Sequence, residues 1–297
     1  MRPMARSKSV AKKPGKKKPT AKKKPAAKKK PAAKNKPPAR KKKELAAKKK
    51  PAAKKRPAAK KKPAGQPSSA ALIDQSLTAA DAGDFATAAT LILEAAALDP
   101  ADWRLPNEAG IFYYRLERYD DAIRCYDRAL TLVPGNVLVM MNKAIAFVLS
   151  ERDDEGRALL HEITTVDPIY APAYFELGKL HQKAGELQDA IEYFDTALFH
   201  ETTGTLFNMS GAPPPNAQLI SLVMLNKARI YFQLDREDDG VAQAQTLWNT
   251  VDDPDAILKL ANELADRDRR GAARRVIDVL LAAQPDNAEA LALRARL

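Results

Sequence analysis

The sequence predicts an all-α solenoid in which helical hairpins stack one after another, preceded by a long basic segment. One observation is a 34-residue period, because the stretch from Trp103 to Asn136 aligns with the chain on both sides when the frame moves by 34 residues. Another is that small residues return to two columns of this frame, where two helices can approach closely. The first column holds Ser76, Gly110, Ala144 and Gly178. The second column holds Ala88, Ala122, Gly156 and Ala190.

The first 67 residues differ sharply in composition from the rest of the chain. They carry 29 Lys or Arg and one acid, which gives about +28, while the remaining residues sum to about −15. The net charge of +13 therefore hides two segments of opposite sign. Prolines recur every six residues in the word KKKPAA, and each one interrupts a helix at a cost of about 3 kcal/mol. Residues 1–67 are predicted to be a disordered Lys/Ala/Pro-rich basic tail without an apolar core.

Lysine clusters on a flexible chain suit a polyphosphate backbone, and such binding weakens as salt rises. Over residues 11–63 the tail is similar to the Lys/Ala/Pro-rich tails of linker histones of the histone H1 type and of bacterial histone-like proteins. It has no aromatic residue on which single-stranded bases could stack, so non-specific binding to duplex nucleic acid is expected. A spacer role, ribosomal RNA and anionic lipid are the alternatives. The lysines predicted to contact nucleic acid are Lys22, Lys23, Lys24, Lys28, Lys29, Lys30, Lys48, Lys49, Lys50, Lys60, Lys61 and Lys62.

A repeat domain is predicted over residues 68–297. Three consecutive prolines, Pro213 to Pro215, break the frame after the fourth unit and predict an insertion over residues 205–220. The last residues, 288–297, are predicted to form one helix that caps the final apolar face. The six units are expected at about 69–102, 103–136, 137–170, 171–204, 221–253 and 254–287.

The second unit carries the columns of a known family. Gly110, Tyr113, Ala122, Tyr126 and Pro134 stand at the spacing of the tetratricopeptide repeat, or TPR, which the unit therefore resembles. The resemblance covers residues 69–297 apart from the insertion. It implies a superhelical solenoid of about six helix-turn-helix repeats, with the first helix of each pair lining a groove that binds a peptide or a protein.

The resemblance also implies which side chains reach a ligand in that groove. They are mainly basic or amide residues, so an extended acidic peptide or a free carboxylate is the expected ligand. The alternative is that these residues are merely solvated. The five-residue clamp that grips chaperone C-termini in related proteins is not reproduced. The predicted groove residues are Arg104, Asn107, Asn142, Lys179, Lys183, Asn226, Arg229, Lys259 and Asn262.

The sequence offers little for catalysis. It has no phosphate-binding glycine loop and no nucleophile motif, and its three histidines are not set at the spacing of metal ligands. We therefore expect no enzyme activity, no cofactor and no metal. Cys125 is the single cysteine, so no intrachain disulfide can form. A cytoplasmic location is expected, associated with the nucleoid or, in a nucleated cell, nuclear.

Two functions remain open at this level. In the leading hypothesis the chain is a non-enzymatic adaptor, whose groove binds an unidentified protein while the tail holds the complex on nucleic acid. In the alternative, the tail acts in regulation or self-association by docking on acidic protein surfaces. The charges of the two segments, about +28 and −15, motivate both hypotheses.

Overall fold

The computed structural model describes the backbone of residues 67–207 and 215–297, and within these ranges it contains thirteen α-helices and no strand. Residues 1–66 of the predicted tail lie outside the described residues, so the tail lysines are not placed. The helices are α1 (Ser69–Asp81), α2 (Phe85–Leu98), α3 (Arg104–Arg115), α4 (Tyr119–Leu132), α5 (Val137–Leu149), α6 (Asp153–Val166), α7 (Ala171–Ala184), α8 (Leu187–Phe207), α9 (Ala217–Gln233), α10 (Glu237–Val251), α11 (Pro254–Asp266), α12 (Arg270–Ala283) and α13 (Ala288–Arg296).

Each predicted unit is a pair of helices joined by a turn of two or three residues. The two helices of a pair pack against each other, and each pair packs on the next. This confirms the all-α solenoid of six helix-turn-helix repeats, with α13 as the additional C-terminal helix. Ala290 and Leu293 of α13 are buried in the hydrophobic cluster of the last two units, as a cap requires. In the described residues, no helix has both the length and the apolar character needed to cross a bilayer.

The small residues of the first column lie where two helices approach closely, and in the second, third and fourth units their size matches the residue that they face. Gly178 lies against the ring of Phe194, so that a Cβ built on Gly178 would stand 2.6 Å from two ring carbons. Gly110 faces the ring of Tyr126 in the same way. Where the facing residue is an aliphatic Leu160 instead, the small column holds alanine, Ala144. The close approach of the two helices therefore depends on both the small residue and the large residue that faces it.

The turn inside each unit requires one residue with a left-handed backbone. Glycine supplies it in the first and fourth units, where Gly83 and Gly185 both have φ +81°. The other four units place a non-glycine residue there, with φ between 57° and 61°. After this residue the next backbone N–H bonds to a carbonyl five residues back, as Arg118 does to Tyr113 at 2.9 Å. These four residues are Glu117, Glu151, Asp235 and Asp268.

Helical backbone extends into both ends of the predicted insertion at 205–220. Helix α8 continues through residue 207, because no proline occurs before Pro213. Helix α9 begins at Ala217, where the side chain of Asn216 accepts a hydrogen bond from the backbone N–H of Leu219. Residues 208–214 lie outside the described residues. Both ends of the predicted insertion are therefore helical.

Candidate functional site: the groove face of the first helices

The first helices of successive units lie side by side and share one face. Helix α3 contacts α5, α7 contacts α9, and α9 contacts α11. Residues at one column of the repeat frame recur on this face, and we call them the groove column. Their character changes along the chain from aliphatic to cationic or polar. The groove column consists of Leu77, Ile111, Ile145, Lys179, Arg229 and Asn262.

Two of the predicted groove residues meet across the first helices. The side-chain amide of Asn142 on α5 donates to Oδ1 of Asn107 on α3 at 3.1 Å. Asn107 is buried, with 4% of its surface exposed, and Asn142 is half-buried. A buried amide of this kind is stable only when hydrogen-bonded. Asn107 is therefore mainly a structural partner, which holds the amide of Asn142 in place.

Most of the predicted cations lie close to acids of the same chain. Lys179 binds Glu176 on its own helix at 2.8 Å, and Lys183 binds Asp153 of the preceding unit at 2.7 Å. Arg104 pairs with Asp102 at 2.6 Å. The predicted basic groove is therefore largely neutralised, because sequence spacing did not show which acids face these cations.

The remaining predicted residues lie on α9 and α11. Arg229 forms two bonds with Glu263, with Nε to Oε2 at 2.7 Å and Nη2 to Oε1 at 2.5 Å. Asn226 and Asn262 each donate to the carbonyl oxygen four residues earlier in their own helix. Lys259 is exposed and has no ion pair within the described residues. The role of these residues in ligand binding stays a prediction.

A cleft of about 230 Å³ opens on the same face between the second and third units. We call it the groove cleft. Asn142 is the one lining residue of the cleft that was predicted from the sequence as a groove residue. The 34-residue column that contains Ile111 and Ile145 is the sequence signal that indicates two of the others. Its lining residues are Ile111, Tyr114, Arg115, Tyr126, Asn142 and Ile145.

Two titratable groups near the cleft are shifted by burial. Burial raises the pKa of Tyr126 far above its usual range, so its hydroxyl stays protonated and can donate a hydrogen bond. Burial also raises the pKa of Glu108, which is half-buried one turn before Ile111 on α3. Desolvation disfavours the charged form of both groups.

His181 is one of the three histidines, which do not stand at metal-ligand spacing in the sequence. Its ring lies near Glu186 and Asp189, with one potential ligand atom of each within 4.8 Å of the others. The Arg157 guanidinium lies 3.3 Å from His181 Nε2 and 3.7 Å from Glu186, and it would repel a second cation there. The His181 ring also stacks on Tyr193 at a centroid distance of 4.7 Å.

The repeat frame gives a structural account of the His181 and Glu186 pair. In the second unit the same two columns hold Tyr113 and Arg118, with the guanidinium 4.7 Å from the ring centre. In the third unit they hold Phe147 and Arg152 at 4.5 Å. A ring and a charged residue therefore brace the turn in several units. In the fourth unit His181 and Glu186 take these places, 2.6 Å apart.

Stacked helix pairs with a groove on their first helices define a repeat protein of the TPR class. The chain belongs to the family described as the protein kinase G tetratricopeptide repeat, whose family model matches residues 20–245. The matched segment runs from the predicted tail to α10.

Relatives with TPR units are also found among known proteins. The chain is 35% identical over 157 residues to the TPR repeat-containing thioredoxin TTL4 of Arabidopsis thaliana, which covers 53% of this chain and 21% of the relative. It is 28% identical over 111 residues to the heat-shock protein cognate (HSC) co-chaperone sgt12 of Aspergillus fumigatus, covering 37% of this chain and 32% of the relative. The chain thus spans less than a third of the length of either protein.

A solved structure supports the fold. The crystal structure of the APC/C hetero-tetramer Cut9-Hcn1 matches with a TM-score of 0.54 and 15% identity, over 77% of this chain and 42% of the other. At this identity the likeness concerns the fold alone.

Proposed function

We propose that this protein is a non-enzymatic adaptor whose groove face binds a peptide segment of a partner protein. The observation that carries the proposal is the groove cleft, which adjoins the groove column and opens to solvent. The same column of the repeat frame holds a further exposed apolar side chain in the first unit, Leu77, with 51% exposure. A relative named as a co-chaperone supports a role that involves another protein.

Affinity capture tests this proposal. Residues 68–297 would be used as bait, and bound proteins identified, beside the variant Ile145→Asp, which places a charge on the groove column. We expect at least one captured protein to be lost with the variant, since burying an unpaired charge is costly. Circular dichroism must show that the variant remains helical. Capture of the same proteins by both baits would refute the groove as the binding surface.

The basic tail would give the adaptor its second partner. We propose that residues 1–67 bind nucleic acid without sequence specificity, because this segment contains 29 cationic side chains and only one acidic side chain. Counterion release then makes the affinity fall as salt rises. The logarithm of the association constant decreases against the logarithm of the salt concentration with a slope of about −0.9 per neutralised phosphate. The repeat domain carries about −15 and would itself be repelled by nucleic acid.

Binding of duplex DNA would be measured for the full chain and for residues 68–297 at several salt concentrations. We expect binding by the full chain alone, with a steep salt dependence. Equal binding by both proteins, or an affinity that salt does not change, would remove the tail from this role.

A second candidate function follows from the exposed acids of the repeat domain, since Asp238 and Asp268 keep about nine-tenths of their side-chain surface exposed despite their ion pairs. Such carboxylates could attract the tail of the same molecule or of a neighbour. The hydrodynamic radius and mass, with and without residues 1–67 at low and high salt, distinguish this case. A monomer whose radius does not depend on salt would eliminate it.

A further inference from the structure

The groove cleft combines apolar walls with polar groups that lack partners within the described residues. We propose that it binds an internal, extended segment of a partner protein in which a large apolar side chain and an Asp or Glu are separated by one residue. This inference rests on the proposed peptide-binding function and specifies its ligand. The apolar side chain enters the cleft, and the carboxylate reaches Arg115.

The size of the cleft fits one side chain. Its volume of about 230 Å³ is below the roughly 300–1,000 Å³ of small-molecule sites. Ile111 on α3 and Ile145 on α5 form the opposing walls, and Tyr114 adds an aromatic surface. A Leu, Met or Phe side chain would remove this apolar surface from water, which is the main source of affinity in such a site.

Charge complementarity selects an acid. Arg115 lines the cleft and is exposed, and no carboxylate pairs with it in the part of the chain that the structure describes. Lys179 and Arg229, further along the groove column, already pair with Glu176 and Glu263. Arg115 is thus the cation at the cleft that remains open to a ligand. A guanidinium binds a carboxylate with two parallel hydrogen bonds.

The spacing sets the separation of the two ligand residues. Ile111 and Arg115 are four residues apart on α3, which corresponds to a rise of about 6 Å. An extended peptide advances about 6.6 Å in two residues, and residues two apart point to the same side. A directly adjacent acid would point away from the helix. The pair of positions on α3 therefore matches an apolar residue and an acid separated by one residue.

The peptide backbone can bond within the cleft. Tyr126 lines the cleft although only 1% of its surface is exposed, and no hydrogen bond of its hydroxyl is found among the residues that the structure places. Asn142 donates to Asn107 and leaves its own Oδ1 open. The hydroxyl supplies a donor for a peptide carbonyl, and Oδ1 supplies an acceptor for a peptide N–H.

The other side of the cleft disfavours a second acid. Glu108 lies one turn before Ile111 and also has no ion pair among the described residues. A ligand with acids on both sides of its apolar residue would bring one of them toward Glu108. If the cleft binds the peptide, such a ligand should bind more weakly. If the tail of charge +28 attracts the peptide non-specifically, the same ligand should bind more tightly. This opposite expectation separates the cleft from the tail.

The test uses the full chain and short fluorescent peptides, blocked at both ends, with a central Leu-Ser-Glu or its reverse, Glu-Ser-Leu, among serines. Binding of both peptides is measured by fluorescence anisotropy at physiological salt. Arg115→Gln should weaken binding roughly tenfold, in line with a hydrogen bond to a charged group. Tyr126→Phe keeps the ring and should weaken binding roughly fivefold without loss of stability. The control Arg274→Gln should change nothing, since Arg274 is likewise exposed and without an ion pair in the described chain.

Peptide variants complete the test. Replacing the Glu of the peptide that binds by Gln, or its Leu by Ala, should abolish most of the binding. Adding a second Glu on the other side of the Leu, again with one residue between them, should weaken it. The inference is overturned by any of three results. These are no saturable binding up to about 1 mM, equal binding by Arg115→Gln and the wild type, or binding only by a peptide whose free terminal carboxylate follows the Leu. If Ile145→Asp still abolishes capture of a partner, the groove proposal survives this failure.

Discussion

The backbone conformation of the residue in each turn is hard to predict from the sequence of this protein. Every unit needs a left-handed residue in its turn, yet four units place Glu or Asp there and only two place glycine. An L-residue in this conformation costs roughly 1–2 kcal/mol. A glycine such as Gly83 indicates a turn in the sequence, whereas Glu151 gives no such signal, because its conformation is imposed by the helices on either side.

Replacing Glu151 by glycine should relieve this strain. The side chain of Glu151 is exposed and its φ is 61°. Glu151→Gly should stabilise the protein by about 0.5–1 kcal/mol, after the larger entropy of glycine in the unfolded chain is subtracted. Urea unfolding measures the difference. The reverse change Gly185→Ala, where a Cβ meets nothing within 4 Å, should destabilise for backbone reasons alone. A destabilised Glu151→Gly variant would contradict the interpretation.

The single cysteine should react slowly. Burial raises the pKa of Cys125 to about 11, and the nearby carboxylate of Asp121 adds to the shift. At pH 8 the thiol is therefore almost wholly protonated, and only the thiolate is nucleophilic. A thiol-specific chromogenic reagent should react far more slowly with the folded protein than with the protein in urea. Equal rates at pH 8 would show that Cys125 is not shielded.

At the scale of helices, the sequence identified the contacts but not their fit. The 34-residue columns predicted that small residues lie where helices approach, and the structure confirms it. The matching of glycine with an aromatic ring, and of alanine with an aliphatic side chain, became visible only when the facing residues were in place. The sizes of the two facing side chains depend on each other, because together they must fill one closely packed space.

Gly178→Ala tests this fit. The new Cβ would stand 2.6 Å from ring carbons of Phe194, which is fully buried. We expect a loss of about 1–3 kcal/mol, as for other overpacked cores. The double variant with Phe194→Leu copies the pair Ala144 and Leu160 and should recover part of the loss. A neutral Gly178→Ala in thermal or urea unfolding would show that the ring can shift.

The ion pairs between units depend on the whole molecule and could not be predicted from the spacing of residues in the sequence. The sequence suggested a row of free cations on the groove face, and the structure places carboxylates against most of them. Arg229 on α9 and Glu263 on α11 bridge the fifth and sixth units through two short bonds. In a solenoid, stability is close to a sum over units and their interfaces, so such a bridge couples neighbours.

Glu263→Gln should weaken this coupling. The pair is partly buried, with 21% and 32% of the two side chains exposed, so loss of the charge should cost about 1–2 kcal/mol. Hydrogen exchange should become faster in α11, α12 and α13 than in the first four units. The control Glu155→Gln, in an exposed pair with Arg152 inside one unit, should leave the exchange pattern unchanged. Uniform acceleration along the chain would contradict a local interface effect.

The sequence by itself determined the repeat, the hairpins, the capping helix and the separation of charge between residues 1–67 and the rest. These follow from local and periodic features, since helix packing repeats the same small columns every 34 residues. Only the tertiary structure decided which predicted cations are neutralised, and that Arg115, Tyr126 and Asn142 line one cleft. The reason is that ion pairs and clefts join residues of different helices, whose distances depend on how the units stack.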